Sequence, residues 1–147
     1  MEEKLTNRFR DLARKQRQVI SNYLQNYGIY LGQHRTIFRL QKHPDITMTE
    51  LAQLLEVSKE SLSVSIKRLE NGGFVTKSMD EKDKRRTLLR LSEKGETLAD
   101  ACRQGFDDIN NAMFQYFNDS EKETLSIYFD KMIEGLEDVE VMHEENS

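Results

Sequence analysis

Residues 47–75 read TMTELAQLLEVSKESLSVSIKRLENGGFV, and the spacing of their apolar positions predicts two short helices joined by a tight turn. Thr47 or Thr49 suits the N-cap of the first helix, and Ser58 suits the N-cap of the second. Gly72 and Gly73 end the second helix, because glycine readily adopts the conformation that closes a helix C-terminus. The apolar positions are Leu51, Ala52, Leu54 and Leu55 in the first helix and Leu62, Ile66 and Leu69 in the second. The stretch therefore has a helix-turn-helix pattern.

A β-hairpin is predicted directly after the glycine pair. Residues 74–78 and 87–91 have the alternation of strands, and residues 79–86 connect them. This connection of about eight residues is longer than a tight hairpin needs, and seven consecutive charged residues, Asp80 to Arg86, fill most of it. A loop of that composition must project into solvent. A hairpin with such a tip beside a helix-turn-helix makes a winged helix.

The remaining chain predicts four amphipathic helices, at about residues 2–26, 31–42, 92–117 and 120–139. The second of these ends before Pro44, because the residue that precedes a proline is disfavoured in the helical region. Ser92 suits the cap of the third helix, and Ser120 with Glu123 suits a capping box at the fourth. The predicted fold class is mainly α with a small β-hairpin wing, in which a winged helix-turn-helix at residues 31–91 lies between N- and C-terminal helices.

The composition limits the classes of protein that the chain can belong to. A length of 147 residues suits one domain, and 37% apolar with 33% charged residues is typical of helices with large solvated faces. Cys102 is the single cysteine, so an intramolecular disulfide is excluded and no zinc-finger spacing exists. No apolar run approaches the roughly 20 residues of a membrane span, and the N-terminus is polar. We therefore expect a cytoplasmic protein without membrane contact.

Charge is unevenly distributed along the chain. The formal net charge is −4, but residues 58–90 carry nine Lys and Arg against five acids, and residues 119–147 carry ten acids against two lysines. Local patches matter more than the sum when a charged partner is bound. The basic middle of the chain is thus compatible with a nucleic-acid partner, and the acidic tail would lie away from it.

The run Asp83-Lys84-Arg85, followed by Leu88, Leu89, Leu91-Ser92 and Gly95, resembles the wing pattern of the MarR family of bacterial transcriptional regulators. The preceding Leu69, Gly73 and Val75 are similar to the family pattern as well, and the resemblance covers essentially the whole chain. It implies a homodimer in which the first and last helices interdigitate, here residues 1–26 and 92–139, and a DNA-binding lobe at residues 31–91. Each lobe would contact one half of a palindromic site in double-stranded DNA.

The resemblance also implies residues for the DNA contact. Arg85 would enter the minor groove, where negative potential is concentrated, and Asp83 would hold Arg85 through a charge-assisted bond. Lys82, Lys84 and Arg86 would face phosphates. The second helix of the helix-turn-helix would enter the major groove. Its expected contact residues are Ser58, Lys59, Glu60, Ser61, Ser63, Ser65, Lys67 and Arg68. For each serine, a merely solvated helix surface stays an open alternative.

Relatives in the family bind small phenolic or other aromatic effectors, and aromatic residues here suit such a pocket. The candidates are Tyr23, Tyr27, Tyr30, His34, Phe38 and Phe106, with ordinary core packing as the alternative. The Trp that relatives often carry shortly after the position of Gln33 is replaced by His34-Arg35, so the pocket is not transferred residue by residue. The three histidines lack a metal-site spacing, and Cys102 suits a buried, inert thiol. We expect no metal and no cofactor, with zinc or manganese bound by histidine as the weaker alternative.

These features together predict a DNA-binding transcriptional regulator rather than an enzyme. The expected mechanism is a repressor whose operator is released when a ligand shifts the dimer between DNA-competent and incompetent conformations. An alternative is a winged helix that has lost DNA specificity and holds another protein. A small enzyme is the weaker alternative, because no catalytic triad, metal cluster or phosphate-binding loop is recognisable.

Overall fold

The computed structural model describes the whole chain, residues 1–147, as six α-helices and three β-strands. In chain order these are α1 (Glu2–Gln25), α2 (Gln33–Lys42), β1 (Ile46–Thr47), α3 (Met48–Leu55), α4 (Lys59–Asn71), β2 (Val75–Met79), β3 (Thr87–Leu91), α5 (Glu93–Met113) and α6 (Asp119–Glu145). The chain divides into two compact units, Met1–Ile109 and Asn110–Ser147. The predicted mainly helical class with a small wing is confirmed.

The helix-turn-helix consists of α3 and α4, and its caps explain where each helix starts. Thr47 and Glu50 form a reciprocal capping box at α3. The Ser58 Oγ accepts the backbone N–H of Ser61 at 3.1 Å at the start of α4. Between the helices, Glu56 adopts a left-handed conformation with φ of 55°. The predicted caps at Thr47 and Ser58 are therefore confirmed.

The sheet has three antiparallel strands in the order β1-β3-β2, one more than the predicted hairpin. The extra strand β1 pairs Ile46 with Leu89 and has only two residues, too few to show a periodicity. The Arg90 guanidinium and the Asp45 carboxylate form a bidentate ion pair. This pair connects β3 to the turn that precedes β1. Strand β3 is thus paired on both sides, by β1 and by β2, and only the wing tip, residues 80–86, lies outside the sheet.

The core of the first unit lies between α1, α2, the helix-turn-helix, the sheet and α5. Its fully buried side chains include Leu24, Ile37, Leu51, Ile66 and Leu89, and burying one such side chain contributes about 1.5–3 kcal/mol. Cys102 on α5 is also fully buried, and this burial raises the pKa of its thiol. The predicted burial of Cys102 is therefore confirmed.

The joint between the wing and α5 explains the Leu-Ser-x-x-Gly part of the sequence pattern. The Ser92 hydroxyl donates to the Gly73 carbonyl, and its oxygen accepts the backbone N–H of Gly95 at 3.0 Å. A Cβ on Gly95 would lie 2.1 Å from the Phe74 carbonyl oxygen. Only glycine therefore lets α5 start directly against the strand that follows α4.

In the second unit, three predicted helix ends differ from the structure. Asn118, not Ser120, caps α6, and it forms the capping box with Glu121 rather than Glu123. Asn118 with Glu121 and Ser120 with Glu123 both have the spacing of three residues that a capping box requires. The use of Asn118 makes the helix start two residues earlier. Helix α5 ends at Met113 rather than near Phe117, and α6 extends beyond Val139 to Glu145. No residue of α6 is buried, although its apolar side chains recur at helical spacing.

Candidate nucleic-acid interface

Helix α4 presents an outer face that is polar except at one position. Its inner face buries Leu62, Ile66 and Leu69 in the core. Ser65, which was expected on the outer face, is half-buried at the border with the core, so its predicted base contact is not supported by its placement. The exposed residues are Lys59, Glu60, Ser61, Ser63, Val64, Lys67 and Arg68.

Val64 is the residue of this face that the sequence analysis missed. Its exposed fraction is 55%, and it lies three residues from Ser61 and from Lys67, so all three share the outer face. A signal was present, because Val64 falls between the core positions Leu62 and Ile66 and cannot lie on their side of the helix. More than half of this apolar side chain is therefore left uncovered by the chain.

In the wing, the predicted pair of Asp83 and Arg85 is present. The Arg85 backbone N–H and its Nε both donate to Asp83 Oδ1 at 3.1 Å, and Arg85 Nη2 lies 3.4 Å from Oδ2. These hydrogen bonds lower the pKa of the Asp83 carboxyl. The Arg85 side chain is nevertheless 91% exposed. Asp83 therefore restrains the direction of Arg85 without burying it.

Arg86 differs from the expectation that it faces phosphates, because two carboxylates of the chain surround it. Its Nη2 donates to Glu50 Oε1 at 3.0 Å, and its Nε lies 3.9 Å from Asp80 Oδ2. Glu50 belongs to the first turn of α3, 36 positions away in sequence. Arg86 therefore links the base of the wing to the helix-turn-helix and has a positioning role.

The start of α4 and the wing border one common cleft. The cleft has a volume of about 460 Å³, and residues of α3, α4 and the wing line it. Lys59 of α4 and Arg85 of the wing both line it and contribute positive charge, and the ion pair of Glu50 with Arg86 lines it as well. This cleft joins the outer face of α4 and the wing into one surface.

The lysines of this surface are not neutralised by the chain itself. The seven ion pairs of the structure include Arg85, Arg86 and Arg90, and one joins Lys77 to Glu70 at 3.7 Å. The basic residues outside these pairs include Lys59, Lys67, Arg68, Lys82 and Lys84. Their positive charge is available to an external polyanion.

The predicted effector residues fall into separate groups. Tyr23 donates its hydroxyl hydrogen to the Ala101 carbonyl at 2.8 Å and therefore accepts from Tyr27 at 3.3 Å. The hydrogen bond with Tyr27 is the main cause that raises the pKa of Tyr23 to about 12. His34 stacks on Phe106 at a ring separation of 5.0 Å, and Phe38 meets both rings edge-on.

Burial is the main cause that lowers the pKa of His34, and its Nδ1 accepts the Gly32 backbone N–H at 3.2 Å. The histidine is thus neutral at physiological pH and packed as an aromatic ring. Tyr30 is 65% exposed and borders a different cavity, of about 460 Å³, with Gln33 and Arg68. His34 therefore contacts Phe38, and Tyr23 contacts Tyr27. Tyr30 belongs to neither pair.

Two further kinds of site are not seen. No three His, Cys, Asp or Glu side chains lie together in an arrangement that could hold a metal ion. None of the helices combines the length and the apolar composition that crossing a bilayer requires.

Comparison with known proteins identifies similar sequences and structures. The family model described as "MarR family" matches residues 27–86, which include α2, the helix-turn-helix and the wing tip. An uncharacterised HTH-type transcriptional regulator from Bacillus subtilis, YybA, is 28% identical over 106 residues, which cover 72% of this chain and 71% of the relative.

Two solved structures are similar over almost the whole chain. FabT from Streptococcus pneumoniae, in complex with DNA, gives a TM-score of 0.81 at 18% identity, and the alignment covers 95% of this chain and 99% of the FabT chain. A mutant of S. aureus MepR gives a TM-score of 0.80 at 22% identity, and the alignment covers 89% of this chain and 97% of the MepR chain. At these identities the likeness concerns the fold.

Proposed function

We propose that this chain, which belongs to the MarR family and is a DNA-binding transcriptional regulator, works as a homodimeric repressor that binds a palindromic operator and responds to a ligand. The observation that carries the proposal is the continuous surface of α4 and the wing. There, unpaired lysines surround an exposed arginine that a carboxylate holds in a defined direction. FabT, whose structure was solved with DNA, has the same fold.

The two parts of this surface suit the two grooves of B-form DNA. The outer face of α4 has the dimensions of an element that fits the major groove. The wing tip extends beyond the sheet and carries Arg85, whose planar guanidinium suits the narrow minor groove. Lys82, Lys84, Lys59 and Lys67 flank these elements and would bind phosphates. Because phosphate binding releases counterions, affinity should fall with a slope of about −0.9 per neutralised phosphate in a logarithmic plot against salt.

The terminal helices support the dimer. On α1, Leu5, Phe9, Leu12 and Val19 are exposed at helical spacing, with Leu5 at 62% and Phe9 at 60%. On α6, exposed apolar residues extend from Ile127 to Met142. Contiguous apolar faces of this length are not stable in water and mark interaction surfaces. A second copy of the chain would bury them and would present two winged helices to a palindrome.

The response to a ligand would use the aromatic residues near the start of α2. His34, Phe38 and Phe106 form a cluster between α2 and α5, and Tyr30 borders a cavity that also contacts Arg68 of α4. A ligand that binds one conformation of the dimer better than the other would shift the population between them. We propose a small aromatic molecule as the ligand that binds near His34, Phe38 or Tyr30.

Selection of bound duplexes from a random DNA pool tests the proposal. The purified protein should enrich a palindrome with half-sites about one helical turn apart. Arg85→Ala should lose affinity for it, whereas Arg39→Ala, which changes an exposed arginine on α2 outside this surface, should not. If no sequence is enriched at physiological salt, DNA specificity is excluded. In that case a winged helix that binds another protein becomes the better account.

A further inference from the structure

Two residues on the outer face of α4 do not suit a surface that only attracts phosphates. Glu60 is a carboxylate on a face that would approach a polyanion, and Val64 is an apolar side chain in the middle of polar ones. Both are exposed. They are four residues apart, so they lie next to each other along the helix. The buried residues Leu62 and Ile66 lie on the opposite side.

Glu60 has no partner within the chain. It takes part in none of the seven ion pairs. A free carboxylate in the major groove is repelled by phosphates whatever the sequence, and only a base-edge donor offsets that repulsion. The donor that the major groove offers to an acidic side chain is the N4 amino group of cytosine. Glu60 also lies in the first turn of α4, where a carboxylate stabilises the helix, so its test needs a separate stability measurement.

More than half of Val64, 55%, is exposed, so much of its apolar surface is not covered by the chain. Valine also lowers the stability of an exposed helix relative to alanine. The major groove contains one apolar group, the C5-methyl of thymine. The two γ-methyl groups of Val64 supply the matching apolar surface at a position where Ser61 and Lys67 flank it.

From this placement we propose that Glu60 and Val64 read bases for α4, with Glu60 accepting a hydrogen bond from a cytosine amino group and Val64 packing on a thymine methyl group. The inference rests on the proposed function and names the residues that give it sequence preference. Lys59, Lys67 and Arg68 contribute affinity through phosphates, and Glu60 lowers affinity for all duplexes except those that present cytosine.

Removal of single methyl groups from the DNA tests Val64. In the selected duplex, each thymine of a half-site is replaced in turn by deoxyuridine, which lacks only the methyl group. One position should weaken binding of the wild-type protein by about fourfold, the effect of removing one buried methyl-sized group. Val64→Ala removes the contact in both protomers, so it should lower affinity for the unmodified duplex by about 16-fold, and it should lose the response to uracil at that position. The control Val57→Ala changes an exposed valine outside α4 and should keep the response.

Glu60→Gln tests the cytosine contact, because it keeps the shape of the side chain and removes its charge. The variant should bind random duplex more tightly, and its preference for cytosine at one position should fall by about tenfold. Thermal unfolding of the free protein reports the helix effect separately. If the variant changes only the melting temperature and leaves base preference intact, Glu60 serves the helix and the inference is wrong for it.

The outcomes separate the inference from the proposed function. If the wild-type protein selects no sequence, the proposed function fails. If it selects a palindrome but no thymine position responds to uracil, the Val64 part is overturned and the proposed function stands. If a position responds and the response persists in Val64→Ala, another side chain contacts the methyl group and the assignment is also overturned.

Discussion

The wing and helix α4 carry positive charge in different ways, although both belong to one surface. In the wing, Arg85 and Arg86 are each held by carboxylates of the chain, through Asp83 in one case and Glu50 in the other. On α4, the outer basic residues are not paired with carboxylates. A helix already fixes the direction of its side chains, whereas a loop of seven charged residues does not. The wing therefore requires internal ion pairs to direct its arginines, and α4 does not.

Replacement of Arg85 by alanine should have the largest effect on DNA binding. A guanidinium that enters the minor groove makes charge-assisted contacts, and its loss should weaken operator affinity roughly 10- to 100-fold. Lys84→Ala, which removes an unpaired charge from the same loop, should cost only about threefold. Fluorescence anisotropy with labelled operator measures both. Equal losses for the two variants would show that the wing acts only through its total charge.

Asp83→Asn should weaken operator binding by about fivefold, because Arg85 keeps its charge but loses the partner that directs it. In the Arg85→Ala background, the same change should have little further effect. Glu81→Gln is the matched control, since it removes a negative charge from the same exposed loop. A comparable loss in both acidic variants would contradict a directing role for Asp83.

The pKa of Asp83 gives a second measurement of the same contact. Arg85 lowers this pKa, so the bond is intact above the ordinary carboxyl value of 3.8 and is lost as the pH falls through the lowered value. An NMR titration of the carboxyl carbon should show the pKa rising toward 3.8 in Arg85→Ala. An unchanged pKa in that variant would mean that the pair is not populated in solution.

Glu50→Gln should have a smaller effect, a loss of operator affinity of about two- to threefold. Glutamine keeps the capping box of α3, because its one oxygen can still accept the Thr47 backbone N–H. Its amide nitrogen, which is only a donor, then faces Arg86, so the bond to the guanidinium is lost. The wing should therefore be less firmly attached while α3 stays intact. Backbone relaxation of residues 80–86 measures the attachment, and unchanged thermal unfolding confirms the helix.

Lys67→Ala should have the smallest effect, and it should be of a different kind. Loss of a phosphate contact weakens binding to operator and random duplex alike, by about threefold, and reduces the salt slope by about one per contact removed. The ratio of specific to random binding should stay constant. A change in that ratio would assign Lys67 to a base instead of a phosphate.

The parts of the structure that sequence reasoning predicted depend on local chemistry. Caps at Thr47 and Ser58, the break at Gly72-Gly73 and the charged loop follow from neighbouring residues. The misassigned cap of α6 shows the limit of that reasoning, because Asn118 and Ser120 each precede a glutamate by three residues and only packing or helix length decides between them.

The features that were missed depend on residues distant in sequence. Strand β1 exists because Ile46 and Thr47 meet β3, and Arg86 is paired because Glu50 lies 36 positions away. Val64 is different, since its exposure follows from helical spacing alone. It was overlooked because an apolar residue is first assigned to the core.

We propose that α4 and the wing together bind a specific DNA sequence. The most direct test compares the affinity of the purified protein for its selected palindrome with its affinity for a shuffled duplex of the same composition, at a salt concentration near physiological. We expect a ratio of at least about 1,000 for the wild-type protein and a lower ratio for Arg85→Ala. A ratio near one for the wild-type protein would contradict the account.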